Sequence, residues 1–413
     1  MAGYPLAWAV GLAPIYYLMV AVPMTLWLLR NRPVRVPTGT LLFALFLLIV
    51  GASFVQLNSM GRVAIYGLRS SWYLAALIAY LYLGRHRGLD GSRQIVRSLV
   101  VLWAAAIFFG YLAILTPELS WATPVLRVLP DLLKENEFIV QLVRPEVSEI
   151  QVFRYQGVTL NRPAGPFAYT NAWGSSVALL TPFVLAAWHD HKRIGIPRRL
   201  LGALLVAGLV PFYFSLNRGA WLTLGLGLAY SAIRLAAIKR NPLPVIIMAG
   251  ALFFGLTIAL GTGVFDTAAE QLQTRSADSN ETRATLYAET IRQAAESPLI
   301  GYGSTRVNPV DPGGPPLGTH GQLWAVLFAH GFLAAGLYVG FFASGFLRNR
   351  PLEPVPHWAK VSLFIGLLQL PIYGHLPHQL FIMVGAVAMS AWGISRPGRF
   401  SAPTATIGGA NRR

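Results

Sequence analysis

Apolar residues fall in blocks of about twenty along the chain, and polar stretches rich in Arg and Lys separate them. A helix that crosses a bilayer needs about 20 consecutive apolar residues, since only a helix satisfies its own backbone hydrogen bonds in hydrocarbon. The pattern predicts an all-α fold, a polytopic membrane bundle of about 11 transmembrane helices, within a range of 10–12 because two blocks are short. The blocks are 5–29, 38–58, 71–84, 93–116, 166–188, 199–214, 219–238, 242–262, 321–346, 358–373 and 377–395.

Composition excludes a soluble protein. Hydrophobic residues make up 54% of the chain and charged residues 12%, against about 25% charged residues in an average soluble domain. The chain has no cysteine, which excludes a disulfide framework, thiol catalysis and Cys-ligated metals.

Charge sorts the loops into two sides. Alternate short loops hold most of the 33 lysines and arginines but only three acids, Asp90, Asp190 and Glu353. Positive-inside bias makes that side cytoplasmic, so the segments 117–165 and 263–320 face outward, with the amino terminus out and the carboxy terminus in. The net charge of +17 then comes mostly from basic residues in the cytoplasmic loops, which favour anionic membrane lipids. Nucleic acid is therefore not an expected partner.

One integral-membrane domain is predicted over residues 1–400, followed by a polar tail, 401–413, that we expect to be disordered on the cytoplasmic side. The first outward segment predicts an amphipathic helix around Val125 to Leu142 and then an extended piece from Val152 to Leu160.

The second outward segment predicts an amphipathic helix from about Asn280 to Glu296, stopped by Pro298. A Gly/Pro-rich loop, Gly301 to Gly318, follows it. Long loops in compact proteins are usually functional or disordered.

Signatures of soluble enzymes are missing: the sequence has no GxxxxGK[ST], GxSxG, HExxH or Asp-x-Asp motif. Basic residues on the predicted outer side are the stronger signal. They are Arg162, Arg218 and Arg283, joined by His320.

Each of these residues also has an ordinary structural interpretation. Arg218 lies in a short polar break between two apolar helices, where an arginine pairs with an anion, faces a polar cavity or snorkels to headgroups. Arg283 shares a helical face with Tyr287, and it alternatively pairs with a nearby glutamate. Asn171 alternatively bonds a neighbouring helix, and His320 alternatively caps its helix.

His375 and His378 also fall on the predicted outer side, between the last two helices. A proline turn separates them and no carboxylate neighbours them, so the sequence predicts no metal site.

Several arginines without a metal motif suit a pyrophosphate, because the guanidinium fork binds phosphate oxygens at two points and keeps its charge. An imidazole beside them can take a proton at neutral pH. A substrate that is both a lipid and a pyrophosphate on the outer leaflet points to a polyprenyl-diphosphate-linked sugar.

Four elements in order carry a resemblance to a known family. They are R-x-x-G-x-F-x-x-x-N from Arg162 to Asn171, S-x-x-R-G-A-W-L from Ser215 to Leu222, a helix led by Arg283 that closes in Pro-Leu-x-Gly-x-Gly, and the helix-opening His320. The chain resembles the O-antigen ligase and polymerase superfamily of integral-membrane glycosyltransferases.

The resemblance implies roughly a dozen helices in the bacterial cytoplasmic membrane, with a large outward loop over an extracytoplasmic active site. It implies metal-independent and cofactor-free transfer of a glycan from a polyprenyl diphosphate, such as undecaprenyl diphosphate, to an acceptor. We expect inverting transfer. The expected catalytic residues are Arg218, Arg283 and His320, and the expected donor-binding residues are Arg162, Asn171, Asn217, Arg218, Arg283 and Tyr287.

Gly321 departs from the family pattern, which usually has Asn after the histidine. The acceptor also stays open: the lipopolysaccharide core for a ligase, a second lipid-linked glycan for a polymerase, or another cell-envelope polymer or protein. Two alternatives are a transporter or flippase of lipid-linked glycans, and a cell-shape-type transglycosylase that uses an outward carboxylate, with Asp266, Asp278 and Glu281 as candidates.

Overall fold

The computed structural model describes residues 1–31, 36–85, 89–152, 159–246, 248, 250, 283–348 and 353–390. These ranges are helical apart from one two-stranded sheet and the connecting turns. The helices are α1 (Tyr4–Ala9), α2 (Ala13–Arg30), α3 (Thr40–Ala52), α4 (Met60–Arg85), α5 (Leu89–Leu115), α6 (Pro124–Val128), α7 (Asp131–Lys134), α8 (Glu137–Val143), α9 (Thr170–His189), α10 (His191–Ile194), α11 (Arg198–Phe214), α12 (Arg218–Lys239), α13 (283–294), α14 (Gln322–Leu347), α15 (Pro354–Gln369) and α16 (Pro377–Ser390).

The predicted apolar blocks overlap the longer helices, α2 to α5, α9, α11, α12 and α14 to α16, together with the short α1. The described residues are mostly helical, as expected. Four described helices are long and apolar enough to cross a membrane: Ala13–Arg30, Gly91–Leu115, Arg218–Lys239 and Gln322–Leu347. Two shorter apolar helices span Thr40–Gln56 and Pro377–Ser390. The count of about eleven spans stays a prediction. Most of block 242–262 and the whole tail lie outside the described residues.

The first apolar block was predicted as one span, but it forms two helices. Gly11 interrupts it with φ +84° between α1 and α2, a left-handed conformation that glycine adopts without strain. Pro14 then sits in the first turn of α2, where its missing N–H is not needed. The third block, 71–84, was predicted too short, because α4 begins at Met60 and ends at Arg85.

The single amphipathic helix predicted around Val125 to Leu142 is wrong in detail. The segment forms the three short helices α6, α7 and α8 instead. Pro130 and Asn136 separate them, and the Asn136 side chain accepts a hydrogen bond from the Ile139 amide at 3.3 Å as the N-cap of α8.

An antiparallel hairpin follows, with β1 (Ser148–Val152) paired to β2 (Thr159–Pro163). Glu149 lies opposite Arg162 in its register. The predicted extended piece is therefore confirmed at its two ends, and residues 153–158 between them lie outside the described ranges.

Two helices of the bundle are buried on nearly every side. All residues of α16 and most residues of α9 are buried. Helix α9 packs against α5, α12 and α15, so its amino-terminal turn is a fixed platform for the polar residues around it.

Helix α14 breaks at Gly331, which has φ +85°. The Pro-Leu-x-Gly-x-Gly turn, 298–303, fills this break with backbone hydrogen bonds: Tyr302 N to Phe328 O at 3.0 Å, Gly303 N to Ala329 O at 2.7 Å, and Phe332 N to Pro298 O at 2.9 Å. A Cβ at Gly331 would lie 2.4 Å from the Pro298 carbonyl oxygen. The motif therefore anchors α13 to α14. The described part of α13 ends at residue 294, ahead of Pro298 as predicted, and its predicted start lies outside the described residues.

The turn 370–376 between α15 and α16 caps the start of α14. The carbonyl of Tyr373 accepts from the Gln322 amide at 2.8 Å, and the carbonyl of Leu370 accepts from the Leu323 amide at 2.9 Å. These bonds satisfy amides that a helix start leaves without intrahelical partners.

Candidate active site

A basic chamber of about 250 Å³ lies where the amino-terminal ends of α9 and α12 meet β2, α13 and the turn 370–376. Its polar lining residues are Arg162, Asn171, Asn217, Arg218, Arg283 and Tyr373. Helix amino termini carry partial positive charge, so two of them add to three guanidinium groups here. The described lining contains no carboxylate, and the chamber suits an anion.

The polar break 215–218 enters α12 through a fixed turn. Leu216 adopts φ +48°, and the Asn217 side chain caps α12 by accepting from the Ala220 amide at 3.3 Å. The Asn217 amide group also donates to the Thr170 carbonyl at 3.4 Å, and the Tyr373 hydroxyl donates to its oxygen. Asn217 was predicted to bind substrate, and these contacts fix the turn that presents Arg218.

Arg162 is buried, with 3% of its surface exposed, and its Nε donates to the Ser215 carbonyl at 2.7 Å. Burial lowers the pKa of Arg162 from its usual value, the charges of Glu149 and Tyr373 raise it, and the charges of Arg218 and Arg283 lower it further. The guanidinium groups thus repel one another, and an anion bound between them relieves this repulsion.

Arg218 and Arg283 make no side-chain hydrogen bond or ion pair with any residue that the structure describes. The alternative that Arg283 pairs with Glu289 does not hold, because Glu289 binds Arg292 at 2.6 Å. Glu281 lies outside the described residues, as do Asp266 and Asp278.

A polar chamber of about 670 Å³ adjoins the basic chamber and shares Asn171, Arg283 and Tyr373 with it. His320 lines this second chamber, together with further polar side chains. These are Arg69, Glu135, Asn136, Glu137, Gln141, Tyr169, Thr305 and Thr319. Arg283 and Tyr373 therefore lie between a cationic chamber and one that contains the imidazole.

The protonation of His320 follows from its neighbours. The Thr319 hydroxyl donates its single hydrogen to the Pro316 carbonyl at 2.6 Å, and the same oxygen lies 3.0 Å from His320 Nδ1. Nδ1–H must then donate to that oxygen, which leaves Nε2 with a free lone pair. Burial, and after it the charge of Arg283, lowers the pKa of His320 below its ordinary value of 6.5. This shift favours the neutral form of the ring at pH 7.

Tyr287 lines neither chamber. Its hydroxyl donates to the His320 carbonyl at 2.9 Å, and its ring stacks on Trp324 at 4.8 Å. His320 has φ +60°, which is unusual for a residue with a side chain. Tyr287 thus holds His320 in this conformation, whereas we had predicted that it contacts the donor.

Sequence reasoning missed Tyr373 and Arg69. Tyr373 looked like an ordinary interfacial aromatic beside two histidines, and its position between the chambers depends on the capping of α14. Arg69 lies between the predicted blocks 38–58 and 71–84, so only the structure shows that it belongs to α4.

His375 and His378 are buried rather than open to the outer side. Nδ1 of His375 lies 3.2 Å from the Tyr338 hydroxyl, and Nδ1 of His378 lies 3.2 Å from the Tyr4 hydroxyl. Across the described residues, no group of three or more His, Cys, Asp or Glu side chains is arranged to hold a metal ion.

The long apolar helices and the polar chambers between their ends define a multi-pass membrane protein. A family model described as O-Antigen ligase matches residues 203–339, a range that includes Arg218, Arg283 and His320. The match confirms the resemblance to the O-antigen ligase and polymerase superfamily, a family of glycosyltransferase-like membrane proteins. No curated protein and no solved structure matches the chain significantly.

Proposed function

We propose that this protein is a metal-independent glycosyltransferase that moves a glycan from a polyprenyl diphosphate to an acceptor on the outer face of the bacterial cytoplasmic membrane. The observation that carries the proposal is the basic chamber. Three arginines line it with no carboxylate among its described lining residues, and the chamber beside it contains His320, whose pKa is lowered. The family match supports the same chemistry.

In the proposed reaction, the diphosphate of the donor lies in the basic chamber. Arg218 and Arg283 bind its oxygens and stabilise the negative charge that grows on the leaving diphosphate as the glycosidic bond breaks. Arg162 is fixed by Ser215, so it adds charge from a rigid position.

His320 Nε2 accepts the proton of the acceptor hydroxyl as that oxygen attacks the anomeric carbon of the donor sugar. One displacement inverts the anomeric configuration, and the diphosphate leaves without needing a proton. The bond to the acceptor oxygen forms and the bond to the diphosphate breaks near Arg283, because Arg283 lines both chambers.

Substitutions separate the two roles. Arg218→Ala and Arg283→Ala should each weaken binding of the lipid-linked donor by about 10- to 100-fold, since each removes a charge-assisted contact of about 1.5–3 kcal/mol. Lysine should rescue in part, because it keeps the charge and loses the planar fork. His320→Ala should leave donor binding intact and lower transfer about 100-fold or more.

The measurement is transfer by purified full-length protein from a lipid-linked oligosaccharide, with donor binding assayed separately. Activity should persist in EDTA. A requirement for a divalent cation, or full donor affinity in both arginine variants, would contradict the proposal.

A further inference from the structure

The polar chamber has a wall that the proposed reaction has not used. The α7–α8 segment contributes Glu135, Asn136, Glu137 and Gln141 to its lining, and α4 contributes Arg69. These groups come from the amino-terminal 141 residues, outside the range 203–339 of the family match.

Charge distinguishes the two chambers. The basic chamber is lined by three arginines, whereas the polar chamber sets Glu135 and Glu137 against Arg69 and Arg283. Carboxylates repel phosphate, so the polar chamber is poorly suited to a second phosphate group. A charge-balanced lining suits a neutral ligand.

Hydrogen-bonding chemistry narrows that ligand to a sugar. A hydroxyl both donates and accepts, and the chamber offers carboxylate acceptors, amides that do both, and guanidinium donors. Glu137 accepts from the Gln141 side chain at 3.3 Å, which holds the pair together one helical turn apart.

Arg69 lies in the same wall. Its guanidinium lies 5.6 Å from the centre of the Phe138 ring, and it makes no side-chain hydrogen bond or ion pair within the part of the chain that the structure describes. The ring face attracts the cation at this distance and leaves the N–H donors of Arg69 for a ligand.

We propose that the polar chamber binds the reacting end of the acceptor as an uncharged, polyhydroxylated sugar, and that Arg69, Glu137 and Gln141 recognise it. This inference rests on the proposed function. It places the acceptor sugar beside His320, in the chamber that shares Arg283 and Tyr373 with the diphosphate chamber.

Kinetics of Glu137→Gln test the proposal, because this change keeps the shape and removes one charged acceptor. The donor is a polyprenyl-diphosphate oligosaccharide, and the acceptor is the glycolipid extract of membranes from the producing cells. We expect the acceptor KM to rise about tenfold with an unchanged donor KM. A rise in the donor KM would instead place the donor's glycan in this chamber, and no change in either KM would also overturn the inference.

Asp131→Asn is the matched control, because Asp131 belongs to the same segment, lies outside the lining and pairs with Lys134 at 2.9 Å. Its acceptor KM should stay unchanged. Thermal unfolding of both variants separates a folding defect from a binding defect.

A labelling experiment needs no turnover. In this thiol-free chain, Gln141→Cys puts a single thiol in the chamber wall, and Asp131→Cys puts one outside it. Dephosphorylated glycan released from the same extract, at about ten times its Kd, should slow maleimide labelling of Gln141→Cys about tenfold. Inorganic pyrophosphate should not slow it, and Asp131→Cys should label equally fast throughout.

Protection by pyrophosphate, or labelling that glycan leaves unchanged, would overturn the inference. The two failures are distinguishable: protection without transfer rejects the proposed reaction, whereas transfer without protection rejects the acceptor chamber.

Discussion

At the scale of single residues, the hydroxyl of Thr319 decides which nitrogen of His320 is basic. It donates to Pro316 and accepts from Nδ1, so a neutral ring keeps its lone pair on Nε2. Thr319→Val keeps the shape and loses the hydroxyl, and the other tautomer then becomes accessible. We expect the rate of transfer to fall about tenfold, because the net contribution of one hydrogen bond corresponds to a change of that order. Donor binding should stay unchanged.

Thr319→Ser is the matched control, since it restores the hydroxyl and should restore most of the rate. Steady-state transfer and donor binding, measured side by side, check this prediction. Full activity in the valine variant would show that Thr319 does not orient the ring.

The pH dependence of transfer reports the electrostatics of the same ring. In the proposed reaction His320 must be neutral to accept a proton, so we expect activity to fall as the pH drops through the pKa of His320. Burial and the charge of Arg283 lower that pKa, and the acidic limb of kcat/KM should therefore lie below pH 6.5. Arg283→Gln removes a positive charge, favours the imidazolium and should move the limb to higher pH.

Arg292→Gln, on the same helix, is the control. Arg292 is exposed and pairs with Glu289 at 2.6 Å, so its loss should leave the limb in place. The measurement is a pH profile of each variant at low donor concentration. A limb that does not move in Arg283→Gln would mean that another group controls the acidic side.

At the scale of elements, the start of α14 explains the departure at Gly321. A Cβ at this position would lie 2.6 Å from the Pro371 carbonyl oxygen, because the turn 370–376 passes directly over the helix start. Gly321 has φ 169°, an extended conformation open to any residue, so the obstacle is space alone. The asparagine usual in the family does not fit this backbone.

Gly321→Asn should therefore destabilise the protein by about 1–3 kcal/mol, the usual effect of overpacking. Gly313→Asn is the control, since a Cβ there meets nothing within 4 Å. Thermal unfolding in detergent checks the difference. Equal stability of the two variants would show that the turn moves aside freely and that Gly321 has another role.

The sequence predicted those elements whose pattern is local. The apolar blocks located the helices, and the arginines and His320 were found from their polar surroundings within apolar sequence. The two breaks in the first outward segment's helix were missed, because Pro130 and Asn136 interrupt an otherwise regular apolar face. Tyr373 was missed because its place depends on a contact between the turn 370–376 and α14, which are distant in the chain.

At the scale of the whole molecule, the amino-terminal ends of α9, α12 and α14 converge on one end of the bundle. Asn171 and Arg218 lie in the first turns of α9 and α12, and His320 precedes α14. The partial positive charges of these helix ends thus add to the positive potential that the arginines create. The carboxyl ends of α9 and α12 carry His189 and Lys239, at the basic loops predicted to be cytoplasmic.

This arrangement makes the orientation of the bundle testable. If the basic loops are cytoplasmic, both chambers open away from the cytoplasm, as transfer onto an envelope acceptor requires. The chain has no native thiol, and Asp131, Asp311 and Lys192 are exposed, so single cysteines at these positions report one site each. In intact spheroplasts, an impermeant maleimide should label Asp131→Cys and Asp311→Cys within minutes, while Lys192→Cys should label only after lysis. Labelling of Lys192→Cys alone before lysis would invert the topology, and it would place the arginines and His320 on the side where the proposed acceptor is not available.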